Sequence, residues 1–325
     1  MVKLAKLSFL FLPTLLLGQT ASAEVQGNDF IQVFEQLSGK QPGVRKGHAK
    51  GVCVVGEFAP STAALQYSSS ALFTAESVKA SIRFSMAGGN PAANETERSP
   101  RGVGVQFKLP DGRVHNIAGL TTPVFPGKDP QTFLGLLQTL VPNEQGRIDF
   151  AKVKQYRQEH PSTQAQFNWL QSHNPPSSYS RVQYYGIHSF NFVDDKGDKT
   201  KFKWQLAPVA GELALTEQQM KQLPPTFLAD KLKQELSTGS VLFELHAIIG
   251  YEDDVTNDPS QFWPKDRQTI SLGLQTINQS GDNRCDGINY DPNVLSKGIE
   301  PSDDPVLRLR STVYAISFGK RLSGN

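Results

Sequence analysis

The chain has 325 residues, with 33 Lys+Arg against 31 Asp+Glu and only two cysteines. That length suits one large or two ordinary domains, and 38% hydrophobic with 20% charged residues describes a globular chain with a sizeable core. Two cysteines cannot build a disulfide scaffold or a four-thiolate zinc site, and the near-neutral balance leaves no electrostatic case for nucleic-acid binding.

Residues 1–23 read as a signal peptide. Lys3 and Lys6 form a short basic segment, Leu7 to Leu17 is an apolar run, and Ala21-Ser22-Ala23 is a small-residue cleavage site. The mature chain then begins at Glu24, and the location expected is exported, periplasmic. Of the 33 Lys+Arg, these two leave with the segment, so 31 bases face 31 acids. No later stretch approaches the ~20 apolar residues of a membrane span. Residues 24–325 are expected to form a single domain.

In chain order, 24–42 has Phe30, Val33, Phe34 and Leu37 spaced for one helical face. From 51 to 118 the period becomes two: Val103, Val105, Phe107 and Leu109 alternate with Gly102, Gly104, Gln106 and Lys108. Leu109-Pro110-Asp111-Gly112 is a turn, and Arg113 to Ile117 a return strand. Residues 130–175 read as Gln-rich surface helices. Strands are predicted at 182–193, 199–208 and 240–249, with a helix carrying Leu228, Leu232 and Leu236 between the last two. About eight antiparallel strands with helical insertions suggest an α+β chain built on a closed barrel, which removes exposed strand edges.

Three segments carry candidate chemistry. Arg45-Lys46-Gly47-His48-Ala49-Lys50-Gly51 places a histidine between glycines at the entrance of the strand Val52 to Phe58. Ile82-Arg83-Phe84-Ser85 puts Arg83 and Ser85 on one strand face. Arg310 and Tyr314 are i, i+4 neighbours on a helix opened by Asp304-Pro305. Each segment by itself reads as ordinary structure: a loop histidine, a strand, a helix tyrosine. His115, His160, His173, His188 and His246 have no zinc spacing. Cys53 lies in an alternating strand and Cys285 in a polar loop; the sequence leaves open whether they pair or stay as two thiols.

In this order and at these separations the three segments resemble the haem catalase superfamily. Supporting matches are Ser99-Pro100-Arg101-Gly102, Gly119-Leu120-Thr121-Thr122-Pro123, Tyr185-Gly186-Ile187-His188-Ser189-Phe190 and the run from Asn289 to Ser302. The likeness covers most of residues 30–322. The chain ends eleven residues after Tyr314, where typical catalases continue through further helices, so it looks like the compact catalase-related peroxidases.

The resemblance implies a catalase-like eight-stranded antiparallel β-barrel with surrounding helices, holding haem b. It makes Tyr314 the iron ligand, a phenolate electron donor held ionised by the metal and by the cation of Arg310. It makes His48 the acid–base group acting on the peroxide and Ser85 the partner that fixes its tautomer. Arg45, Arg83 and Arg321 fall where propionate partners are supplied, and Phe133 where an aromatic packs near the haem. One departure stands out. The family's Gly-Asn-Asn-Thr-Pro motif reads Gly-Leu-Thr-Thr-Pro here, and Thr121 replaces the second asparagine, taken as the one that orients peroxide. The expected function is reduction of organic hydroperoxides, and weakly of hydrogen peroxide, by a small external reductant, in a monomer or homodimer. The alternatives are a non-catalytic barrel binding haem or an apolar ligand, and a fatty-acid hydroperoxide isomerase.

Overall fold

The computed structural model describes residues 24–324. The signal peptide read in residues 1–23 lies outside them. The strands are β1 (Gly51–Pro60), β2 (Val78–Met86), β3 (Arg101–Lys108), β4 (Val114–Leu120), β5 (Tyr184–Tyr185), β6 (Phe190–Val193), β7 (Lys199–Pro208), β8 (Val241–Ile249), β9 (Thr269–Ser280) and β10 (Ile299–Pro301). Eight of them close a ring in the order β1-β2-β3-β4-β5-β7-β8-β9, with β9 returning to β1. Every pairing is antiparallel, so no ring strand presents an edge. β6 and β10 lie outside the ring: β6 pairs with the first half of β7, and β10 pairs with the other edge of β6.

The helices are α1 (Gly27–Ser38), α2 (Ala71–Thr74), α3 (Pro130–Thr139), α4 (Phe150–Glu159), α5 (Gln164–Ser172), α6 (Glu217–Gln222), α7 (Leu228–Thr238) and α8 (Pro305–Ser323). α1 stops short of its predicted end because Gly39 turns to φ +75° and Pro42 cannot continue it. The predicted strand 182–193 is two strands. At Gly186 a Cβ would stand 2.5 Å from Trp204 Nε1, and the interruption turns His188 toward α8. β9 is the strand that periodicity does not mark. Its burial alternation slips where Gly273 adopts φ +145° opposite a bulge at Leu245/His246, and buried Gln275 breaks the apolar pattern.

The pleat sorts side chains to two faces. Val54, Ile82, Phe84, Val105 and Phe107 point inward and fill the ring with aromatic contacts such as Phe58–Phe107 at 5.1 Å and Phe84–Phe243 at 6.0 Å. A cavity inside the ring, lined by Phe73, His115, Phe192 and Leu272, holds about 20 Å³, room for a water. A lipocalin-like ligand lumen is therefore absent among the described residues. On the outward face the register aligns Cys53 with Arg83 and Gly104, and Ser85 with Gly102 and Leu120.

The two cysteines settle as a disulfide, Cys53–Cys285, with Cα atoms 5.7 Å apart. It ties β1 to the loop that carries Ile288 and Tyr290. Because the bridge joins points 232 residues apart in sequence, the Cys53→Ser/Cys285→Ser pair should lose roughly 2–5 kcal/mol in denaturant unfolding. An unchanged midpoint would contradict a stapling role.

His115, inward on β4, accepts from Ser296 N–H at 3.1 Å, and burial holds its pKa down to about 4. An unfolded histidine titrates near ~6.5 and takes a proton that the folded one refuses. Stability is therefore complete above that value and falls as pH drops toward 4, by on the order of 3 kcal/mol. A non-titrating His115→Gln variant should show a smaller fall in unfolding free energy between pH 7 and pH 4.5.

Candidate active site

One wall of the site is α8. Asp304 opens it by accepting from Val306 N at 2.8 Å and Leu307 N at 3.2 Å, with Pro305 preset at the first turn. The second oxygen of Asp304 meets His188 Nδ1 at 2.6 Å, and both side chains are almost wholly buried. The helix start is thus pinned to the gap between β5 and β6. Less than two turns on, Arg310 Nη2 donates to the Tyr314 phenol oxygen at 2.6 Å. That phenol packs beside Tyr290, Ile288 and the disulfide. α1 and α3 cover the other flank of α8. There Phe133 lies between Phe30, at 5.6 Å, and Phe125, at 4.5 Å edge-on, beside Leu309 and Val313.

The facing wall is the outward side of β1, β2 and β3. The loop before β1 holds His48 at φ +55°, a left-handed conformation that a non-glycine residue keeps only when its surroundings enforce it. Arg83 supplies the enforcement: Nη1 donates to the His48 carbonyl at 2.8 Å and Nη2 to the Ala49 carbonyl at 2.9 Å. The imidazole lies against Gly102, where a Cβ would come within 2.6 Å of the ring, and its Nδ1 is 3.0 Å from Ser85 Oγ. Ser85 has a single O–H, which is directed to the Gly102 carbonyl at 3.5 Å. Its lone pair therefore accepts the Nδ1–H, and Nε2 is left as a base with no protein partner among the described residues. Burial first, then Arg83, Arg310 and Arg45, press the His48 pKa down to about 3. Tyr290 joins the two walls: it packs beside Tyr314, and its ring lies against Gly104 on the same outward face of β3 as the Gly102 that meets His48.

Between the walls the charge is one-sided. Arg45 donates through Nη2 to the Cys285 and Ile288 carbonyls and stands 5.6 Å over the Tyr290 ring. Burial, Arg83 and Arg321 pull its pKa down to about 10. Arg321 reaches the Ile288 carbonyl at 3.3 Å. Among the described residues none of Arg45, Arg83, Arg310 and Arg321 has a carboxylate within ion-pair distance. Arg321 Nε and the Tyr290 hydroxyl are buried with nothing to bond. Half-buried cations with no counter-charge and orphaned buried donors are costly unless an anion completes them. The haem implied by the resemblance carries two carboxylates and needs a ligand for its iron, and these residues fit it: Tyr314 would supply the ligating oxygen and the arginine group would take the carboxylates.

Of the residues singled out from sequence, His48 and Ser85 come together, as do Arg310 and Tyr314, with Arg45, Arg83 and Arg321 grouped beside them. Arg83 spends two donors on fixing the histidine loop, a duty that the sequence did not reveal. Phe133 belongs to the aromatic layer behind α8. Thr121 is the exception. It follows the last rung of β4 and its hydroxyl oxygen accepts from Arg101 N at 3.0 Å, so it stands on the opposite side of the sheet from His48. The residue on the histidine's rung is Leu120, paired with Gly102, which in turn pairs with Ser85. Position in a motif could not show this; the register does. Tyr290, whose ring lies against Gly104, and the His188–Asp304 pair were also not marked as site residues.

The family model named Catalase matches residues 14–325. A catalase-related peroxidase of Synechococcus elongatus is 39% identical over 308 residues, covering 94% of this chain and 91% of that protein. Another, from Mycolicibacterium paratuberculosis, is 32% identical over 295 residues, covering 90% and 93%. Among solved structures, a fungal catalase superposes with a TM-score of 0.80 at 22% identity, covering 87% of this chain and 60% of that one. Catalase A from Saccharomyces cerevisiae gives 0.80 at 22%, covering 87% and 62%. The chain spans about three fifths of the length of those solved catalases, and likeness at that identity carries the fold alone.

Proposed function

The chain belongs to the catalase family, and from that premise we propose that it is a haem b peroxidase reducing organic hydroperoxides with an external electron donor. The observation that carries the reading is the pairing of His48 with Ser85 across one cleft from Arg310 and Tyr314. Bound there, the haem supplies the iron redox chemistry that O–O cleavage requires. The protein's part is proton handling and placement. His48 Nε2 takes the proton from the hydroperoxide O–H and returns it to the alkoxy oxygen that leaves. Ser85 holds the tautomer that keeps Nε2 free, and Arg83 holds the loop. Arg310 donates to the phenol oxygen of Tyr314, the atom that would ligate the iron. The propionates would be held by Arg45, Arg321 and the donors orphaned beside them.

Substrate preference follows from Leu120. On the rung of Gly102, against which the histidine lies, there is an isobutyl group where an amide would offer two donors. An alkyl hydroperoxide brings its own apolar surface to that side chain, whereas hydrogen peroxide gains nothing from it and is poorly oriented for giving up two hydrogens. Leu120→Asn should raise oxygen evolution relative to peroxidase turnover, while Thr121→Asn should not, since position 121 serves Arg101. Equal effects of the two substitutions would overturn the assignment.

Export is supported by the Cys53–Cys285 bridge, which persists in oxidising compartments. No helix of the described residues is long and apolar enough to cross a membrane. The filled barrel counts against a lipocalin-like carrier. The test is an absorption spectrum of the haem-loaded protein before and after cumene hydroperoxide, with a chromogenic donor followed in parallel. Donor oxidation with little oxygen release supports the reading; a haem that does not bind, or oxygen release that dominates, sinks it.

A further inference from the structure

A second cavity, of about 380 Å³, opens behind the rung of Thr121 and Arg101, in the size range of small-ligand pockets. Its aromatic side is Trp169 stacked on His173 at 3.9 Å, with Tyr185 edge-on to Trp169 at 6.1 Å. His173 Nδ1 is bonded back to the Trp169 carbonyl at 2.8 Å, which locks the stack as a flat platform. The cationic side is Arg98, Arg101 and Arg181, and Glu212 also lines it. Arg98 Nη2 is paired with Glu217, and Arg101 gives its Nη groups to the Glu95, Glu97 and Ser99 carbonyls, so three cations face two carboxylates. Arg98 and Arg101 each keep a buried Nε with no partner, and the Arg101 side chain is 1% exposed. The walls are laced together: Asn174 accepts from Arg98 at 2.6 Å and donates to the Leu215 carbonyl at 2.9 Å, and Leu213 N bonds the Arg181 carbonyl at 2.9 Å.

The cavity shares a wall with the active site. Thr121 lines it and bonds Arg101, and the next residue, Gly102, touches His48. A ring-shaped anion seated on the platform would lie one rung of sheet away from the histidine. We propose that this cavity binds the reducing co-substrate, and that the co-substrate is a phenol bearing a carboxylate. The inference rests on the peroxidase reading above. The ring stacks on Trp169 and His173, and the carboxylate meets the orphaned guanidinium N–H groups. Two such phenols each give one electron and one proton. The hydroperoxide O–O bond breaks, and the products are an alcohol, water and two phenoxyl radicals. An alkyl hydroperoxide has no anionic group for these arginines, so the site discriminates between the two substrates.

The test uses the haem-loaded protein, with 4-hydroxybenzoate as the anionic probe and phenol as the neutral one. Binding is read by calorimetry without peroxide, and KM is measured separately for donor and for cumene hydroperoxide. The wild type should bind 4-hydroxybenzoate more tightly than phenol. Arg98→Gln should weaken the 4-hydroxybenzoate Kd roughly 10-fold and abolish that preference. Trp169→Leu should weaken both probes by about 5-fold. Both residues are partly exposed, so both variants are expected to fold, and the hydroperoxide KM should stay within about twofold. Unchanged donor Kd in both variants, or a rise confined to the hydroperoxide KM, would overturn the proposal. Binding that follows this pattern in a protein with no hydroperoxide turnover would uphold the anion-and-ring site and sink the peroxidase reading instead.

Discussion

Tyr314→Phe is expected to release the haem. The substitution deletes one oxygen and leaves the ring to pack against Tyr290, Ile288 and the disulfide, so the helix and the fold should survive. What goes is the only group on α8 that combines a ligating oxygen with a neighbouring cation, since Arg310 donates to it at 2.6 Å. Losing outer-shell support alone costs a metal site ~10–100-fold in affinity, so losing the ligand should cost at least that. Titration of the apoprotein with haem, followed at the Soret band, measures the loss, and thermal unfolding by circular dichroism checks the fold. A Soret spectrum and affinity equal to wild type would show that another residue ligates the iron. Arg310→Met should act in the same direction with smaller size, because the phenol stays and only its charge support is removed.

The parts of the site legible in the sequence are those set by short-range spacing. Arg310 and Tyr314 meet because four residues make just over one helical turn, and Arg83 and Ser85 share a face because strands alternate. Asp304-Pro305 announces the start of α8, and the structure finds Asp304 capping it.

What the sequence hides depends on register and on distant partners. Cys53 and Cys285 are 232 residues apart, and only the closure of the ring brings the β9–β10 loop over β1. Thr121 and Leu120 are neighbours in a motif, yet one lies beside His48's rung and the other across the sheet, because a shift of one residue reverses the face. β9 is illegible in the sequence because its polar interior residue and bulges break the alternation on which strand reading depends. The His188–Asp304 contact needs a strand to be interrupted at Gly186, and no local pattern marks that interruption.

His48→Ala is expected to leave haem content intact and slow the hydroperoxide reaction by roughly 10²–10⁴-fold, the contribution of a positioned proton-transfer group. Haem retention is expected because Tyr314 and the arginines lie elsewhere in the cleft and the imidazole contributes no bond to them. Position 48 sits at φ +55°, which alanine tolerates poorly, so alanine also perturbs the loop backbone. His48→Asn is the control, since asparagine accepts the left-handed region and keeps the loop while supplying no base. Both variants slowed alike, with added imidazole restoring part of the rate, identifies proton transfer as the cause. Only the alanine variant slowed would point to loop geometry. The pH profile gives an independent check. Because burial and three arginines hold the histidine near 3, Nε2 stays unprotonated as pH falls from 8 to 5, and wild-type hydroperoxide cleavage should stay level across that span. An ordinary imidazole would lose its base form below ~6.5. A wild-type acid limb centred near that ordinary value would show that His48 titrates freely, and that the arginine cluster does not govern it.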